Sequence, residues 1–158
     1  MASDGQALEL LKKEFPDLKA FELPSYNIRY SKNGKLLNAF LIKQSGTILK
    51  AIKREQEVIQ EIIEKEKICG IISDNRFGVR SDKVYSVYIT HQLRVLSGLT
   101  TFITSRIHQQ MIKKFDACWV PDHQAPFYLS GKLSHPAPKG LQVKYIGPLS
   151  RFDKVPCE

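Results

Sequence analysis

The chain has 158 residues, the length of one ordinary domain with a core of its own and too short for two substantial ones. Its 24 Lys and Arg against 16 Asp and Glu leave a net charge of +8, which favours anionic partners without choosing among nucleic acid, phosphorylated ligands and an acidic membrane surface. An apolar run of about 18 residues and a charged-then-apolar leader are both missing, so neither a spanning helix nor a signal peptide is indicated.

In chain order, Ser3-Asp4-Gly5 precedes a short helix whose Leu8, Leu11 and Phe15 recur at helical spacing, with Asp4 as its N-cap. Pro16-Asp17 stops it, and Leu18 to Leu23 alternates as a strand does before Pro24 closes it. The polar segment Ser25 to Lys35 reads as a loop. Leu36 to about Lys65 then reads as helix, with Ile48, Ile52, Ile59, Ile62 and Ile63 on one face and Gly46 as a point of division. Ile68 to Ser73 and Val84 to Thr90 are apolar, β-branched runs that read as buried strands, with a link too short for a full helical crossover.

After Ser97-Gly98, residues 100–112 read as a helix capped by a threonine, with apolar Phe102, Ile103, Ile107 and Met111 at helical intervals. Phe115 to Val120 reads as a strand ending at Pro121-Asp122, and Val143 to Pro148 as a last strand, after which Leu149 to Glu158 is a linker. Strands alternating with helices imply a mostly parallel α/β sheet with helices on both faces. Such folds open with a strand and a Gly-rich turn, whereas this chain has at most a strand remnant ahead of its first helix.

Buried parallel strands deliver ligand-binding side chains at their carboxyl ends. The two apolar runs end in Asp74-Asn75-Arg76 and in His91-Gln92, and the third in Asp122-His123. Asp74, Asn75 and Arg76 can hydrogen-bond hydroxyls or a phosphate, with Arg76 offering the forked donor geometry that suits phosphate oxygens. The plainer reading is a turn capped by Asp74 with Arg76 paired to it. His91 can orient a ligand or act as a general base, or merely satisfy neighbouring backbone groups. His108, in a helix, and His135, in a Pro-rich loop, read as solvent-facing, and neither forms a metal-ligand set with Cys69 or Cys118. Three cysteines without a C-x-x-C fit a reducing cytoplasm. Arg94, Arg106, Lys113 and Lys114 can form a patch towards anionic lipid, with solvated helix faces as the plainer reading. Lys and Arg are otherwise scattered and no RNA- or DNA-reading motif is present, so nucleic acid is not the expected partner.

Taken together, the opening ASDG before a Leu-rich helix, the segments IISDNRFG, YITHQL and DACWVPD, and the closing KYIGPLSRF resemble the amino-terminal, acceptor-binding half of GT-B glycosyltransferases, similar to bacterial N-acetylglucosaminyl transferases of the lipid II type. The resemblance covers nearly the whole chain. It implies an α/β, Rossmann-like three-layer sandwich with a mostly parallel sheet, here lacking the usual first strand and Gly-rich loop. Residues 1–148 would be the acceptor-side domain and 149–158 the linker toward an absent donor domain. It further implies transfer of a sugar from a nucleotide sugar to an acceptor hydroxyl without an obligatory metal or other cofactor, the donor held by the missing carboxy-terminal domain and the catalytic base on the missing loop. On this reading the chain alone does not turn over sugar and has no assigned catalytic residue. Asp74, Asn75, Arg76, His91, Gln92 and Asp122 would hold a sugar or lipid-linked acceptor, in the cytoplasm or at the inner face of the membrane. The alternatives are half of a nucleotide-sugar epimerase of the same fold and a non-catalytic α/β binding module.

Overall fold

The computed structural model describes residues 1–26 and 37–150, with backbone alone over 37–45. The loop expected over Ser25 to Lys35 and the linker's last eight residues therefore lie almost wholly outside the described residues. The described chain forms two compact units, one of residues 1–69 with 78–81 and one of residues 70–77 with 82–150.

In the first unit, strand β1 (Ala2–Ser3) pairs in parallel with β2 (Phe21–Glu22), and helix α1 (Gly5–Glu14) connects them. β1 is the strand remnant the sequence suggests, only two residues long. Asp4 makes no side-chain cap, and only its carbonyl serves the helix, accepting from the Leu8 N–H at 3.2 Å. Helix α2 (Leu37–Glu66) runs unbroken through Gly46. One glycine costs a helix only about 1 kcal/mol, which thirty residues absorb. Ile52, Ile59 and Ile63 are buried on one face of α2, and Lys50, Lys53, Arg54 and Glu57 lie exposed.

Glu55 shares that buried face. Its carboxylate accepts the Gly78 N–H at 2.9 Å and the Tyr26 hydroxyl, which meets the cost of taking a carboxylate out of water. The fit is tight, since a Cβ at Gly78 would stand 2.6 Å from the Ile52 carbonyl oxygen.

The second unit is a four-stranded sheet of β3 (Gly70–Asp74), β4 (Tyr85–Ile89), β5 (Ala117–Val120) and β6 (Val143–Tyr145), in that order and parallel throughout. The fold is α/β and Rossmann-like, with every paired strand parallel. Its core joins Tyr88, Cys118 and Val120 of the sheet to Leu93, Ile112 and Phe115, and Phe77 stacks on Tyr88 at 5.2 Å. Burial pushes the Cys118 thiol up to about 12, so it behaves as a small hydrophobe. β3 is an edge strand rather than a buried one. Ile72, on its outward side, is 61 % exposed, because an apolar run in sequence cannot tell a central strand from an edge.

Candidate functional site at the carboxyl edge of the sheet

Parallel pairing puts the carboxyl ends of β3, β4 and β5 on one edge of the second unit. Register aligns Asp74 with Ile89 and Ile89 with Trp119, so the residues that follow each strand emerge as neighbours. Asp74 and Asn75 are exposed there, joined by a 2.9 Å hydrogen bond from Asn75 Nδ2 to Asp74 Oδ1. Asn75 adopts φ 54°, a left-handed conformation that asparagine tolerates better than most residues, and its N–H still donates to the Ile89 carbonyl. Arg76 is half-buried, and its carbonyl accepts from the buried Ser73 hydroxyl at 2.6 Å. A compact turn thus holds the first trio, Asp74 pairing with Asn75.

His91 stands exposed at the end of β4, and Gln92 is half-buried beside it. Their loop is braced by side chains of helix α3 (Thr101–Ile112). His108 Nε2 donates to the Gln92 carbonyl at 2.8 Å, Gln109 Nε2 to the Leu93 carbonyl at 3.0 Å, and Ser105 Oγ both accepts from the Val95 N–H and donates to its carbonyl. Such irregular backbone must find partners when it is withdrawn from water, and the inward face of α3 supplies them.

His108, expected in solvent, is therefore an internal brace, edge-on to Phe77 at 5.4 Å. Burial lowers its pKa and the bond to Gln92 opposes this only in part, so the ring is held neutral with its hydrogen on Nε2. The threonine cap also takes another form. Thr100 Oγ1 donates to the Ser97 carbonyl, and Thr101 Oγ1 accepts the Ser97 N–H.

Asp122 follows β5 and is buried. Its Oδ1 accepts the N–H groups of His123 and Leu129, at 2.7 and 2.8 Å, and its Oδ2 accepts the N–H and hydroxyl of Ser130. Burial by itself raises this carboxyl, but the hydrogen bonds from Ser130, Leu129 and His123 outweigh it and hold the group well below the usual carboxylate range. His135 Nε2 lies 3.3 Å from Oδ2 and so carries the hydrogen, because a carboxylate only accepts.

The His135 ring is stacked between Tyr128 and Tyr145 at 4.4 and 4.6 Å, and Tyr145 donates to the Ser134 carbonyl. His135, expected in solvent, is thus almost enclosed. Asp122 is fully engaged in building the 121–135 loop, so it shapes the edge rather than offering a free carboxylate.

The edge thus presents Asp74, Asn75, His91 and Gln92, with Arg76 behind the first turn, and the later loop sets its far limit. An exposed carboxylate, a primary amide and an imidazole can jointly accept and donate to several hydroxyls, and His91 can move a proton. What sequence reasoning missed is the bracing role of His108, Gln109, Ser105, Ser130 and His135. The signal available for Asp122 was an aspartate opening a segment rich in Pro, Ser and Gly, where such side chains collect backbone N–H groups. Among the described residues no group of three His, Cys, Asp or Glu side chains is placed to hold a metal ion.

Compared with known proteins, the chain matches no family model, no curated protein and no solved structure.

Proposed function

We propose that the chain is the acceptor-side half of a two-domain glycosyltransferase, which binds a sugar-bearing acceptor at the carboxyl edge of its parallel sheet. The observation that supports this most is the alignment of the β3 and β4 ends, which sets Asp74 and Asn75 beside the loop of His91 and Gln92. In the parent reaction the acceptor oxygen forms a bond to the anomeric carbon and the bond from that carbon to the nucleotide diphosphate breaks. The acceptor's proton passes to a base, and the diphosphate leaves with the electron pair. Asp74 and Asn75 would fix the acceptor's hydroxyls, Arg76 any phosphate it carries, and His91 its orientation. Rigid loops matter here, because a small displacement of the attacking hydroxyl costs rate steeply.

The test is amide-resolved NMR of the full chain, titrated separately with glycan acceptors, with and without a lipid diphosphate, and with nucleotide sugars. Shifts confined to residues 74–76 and 90–92 with an acceptor, weakened about tenfold by His91→Ala or Asn75→Ala, are expected. Response to a nucleotide sugar alone would favour the epimerase-type half. No response at this edge to any of these ligands would refute the assignment.

A further inference from the structure

Residues 123–129, which follow the buried Asp122, are all exposed. Phe127 and Leu129 are 79 % and 77 % exposed and Tyr128 is 45 % exposed, with Ala125 and Pro126 beside them also in the open. Five such residues in a row on a surface are a liability unless something covers them in use. The run is nonetheless held in place. Asp122 Oδ1 accepts the N–H groups at both of its ends, those of His123 and Leu129. One face of the Tyr128 ring lies on His135 at 4.4 Å, and His135 lies in turn on Tyr145 at 4.6 Å. Tyr128 is therefore the terminal plate of a three-ring stack, and the side away from His135 carries its exposure.

This lobe belongs to the carboxyl edge of the sheet. It follows β5, and beyond it the Leu133 carbonyl accepts the N–H groups of Leu93 and Arg94, both at 2.9 Å, in the residues directly after His91 and Gln92. Charge narrows the occupant. Residues 123–131 include no Asp, Glu, Lys or Arg, in a chain where these make up 25 %, so a phosphate would find no cation in this segment. A flat, uncharged aromatic face beside groups that exchange hydrogen bonds with hydroxyls matches a pyranose ring, which has an apolar C–H face and a hydroxylated rim.

We propose that Tyr128, flanked by Phe127, is a stacking platform for a sugar ring of the acceptor. The ring's C–H face lies on Tyr128, and the polar groups at the ends of β3 and β4 take hydroxyls of the same or the next sugar. The plate and its loop are ordered before the ligand arrives, so little conformational entropy is lost on binding. The choice of a sugar rests on the acceptor reading of this edge, whereas the existence of the platform rests on the ring stack and the exposed run.

NMR of the full chain with methyl β-D-glucopyranoside, and separately with uridine, tests it. Saturation of the aromatic protons should pass to the C–H protons of the glycoside, and the amides of residues 127–129 should shift. Tyr128→Ala should weaken binding about tenfold and Phe127→Ala about threefold, while Tyr128→Phe, which keeps the ring, should bind as wild type does. Tyr128→Ala also strips His135 of a neighbour, so Phe127→Ala, at a largely exposed position, carries the test if that variant does not fold. Shifts at residues 74–76 and 90–92 with binding unchanged in the alanine variants would overturn the platform and leave the acceptor edge standing. Binding lost in those variants with no shift at residues 74–76 and 90–92 would uphold the platform and refute the edge. The platform is also overturned if the glycoside causes no response anywhere, or if the rings respond to uridine and not to the glycoside. Sedimentation showing a dimer that Phe127→Ala with Leu129→Ala dissolves would overturn it too, because the run would then be a contact between copies.

Discussion

Helices α2 and α3 share the same 3.6-residue period and turn it in opposite directions. α2 buries Ile52, Ile59 and Ile63 and leaves Lys50, Lys53, Arg54 and Lys65 outside, as burial of apolar area dictates. α3 places only Ile112, at its end, in the apolar core; over residues 104–109 it faces a stretch of irregular backbone, and there the inward requirement is for hydrogen-bond partners. Serine, threonine, histidine and glutamine meet it, and Phe102, Ile103 and Ile107 are left outside. Periodicity reports which residues share a face, and the neighbour decides which face turns in.

The contrast can be broken by mutation. Ile59→Ala on α2 should cost about 2–5 kcal/mol, read from urea unfolding followed by helical circular dichroism. On α3, Ile112 apart, the sensitive positions are polar. Ser105→Ala strips the Val95 N–H of its acceptor, leaving the Val95 carbonyl to the Thr104 hydroxyl, and should cost about 1–3 kcal/mol, followed by the fluorescence of Trp119, the single tryptophan.

A smaller effect sharpens the comparison through pH. The pKa of His108 is lowered in the folded chain, so the folded state binds fewer protons there than the unfolded state. Its contribution is complete above the ordinary value of 6.5 and declines as pH falls below it toward the folded value. His108→Gln should flatten the pH dependence of stability in that range. Smallest of all, Phe102→Ser should change stability by no more than about 0.5 kcal/mol, since an exposed side chain has little packing to lose. A loss comparable to that of Ile59→Ala would mean that the outward face of α3 is covered within the folded chain.

Much of the fold was legible in the sequence. The apolar runs at Ile71 and Val87 gave parallel strands, and the isoleucine spacing of α2 gave its length and its buried face. Asp74, Asn75, His91 and Gln92 follow from the rule that parallel strands present ligands at their carboxyl ends, and the structure does set their segments side by side. What stayed hidden depends on partners distant in sequence. Ser105 and His108 act through backbone groups ten to sixteen residues away. Asp122 gathers N–H groups up to eight residues on, and Glu55 reaches Gly78 across 23. A two-residue strand such as β1 carries too little pattern to be read as more than a remnant.

The ten-residue link from Asn75 to Val84 has a consequence for the order of folding. Gly70 and Tyr85 pair across 15 positions, against 30 for Val87 and Ala117. Halving a loop lowers the entropy of closing it by only about 0.6 kcal/mol, whereas the core cluster draws on β4, β5 and the residues around α3 and takes nothing from β3. The nearer pairing is therefore not the earlier one. The nucleus forms around Tyr88, Ile112 and Cys118, and β3 zips onto it afterwards, so its amides should exchange with solvent sooner than those of β4 and the candidate acceptor edge should be the last part of the second unit to take shape.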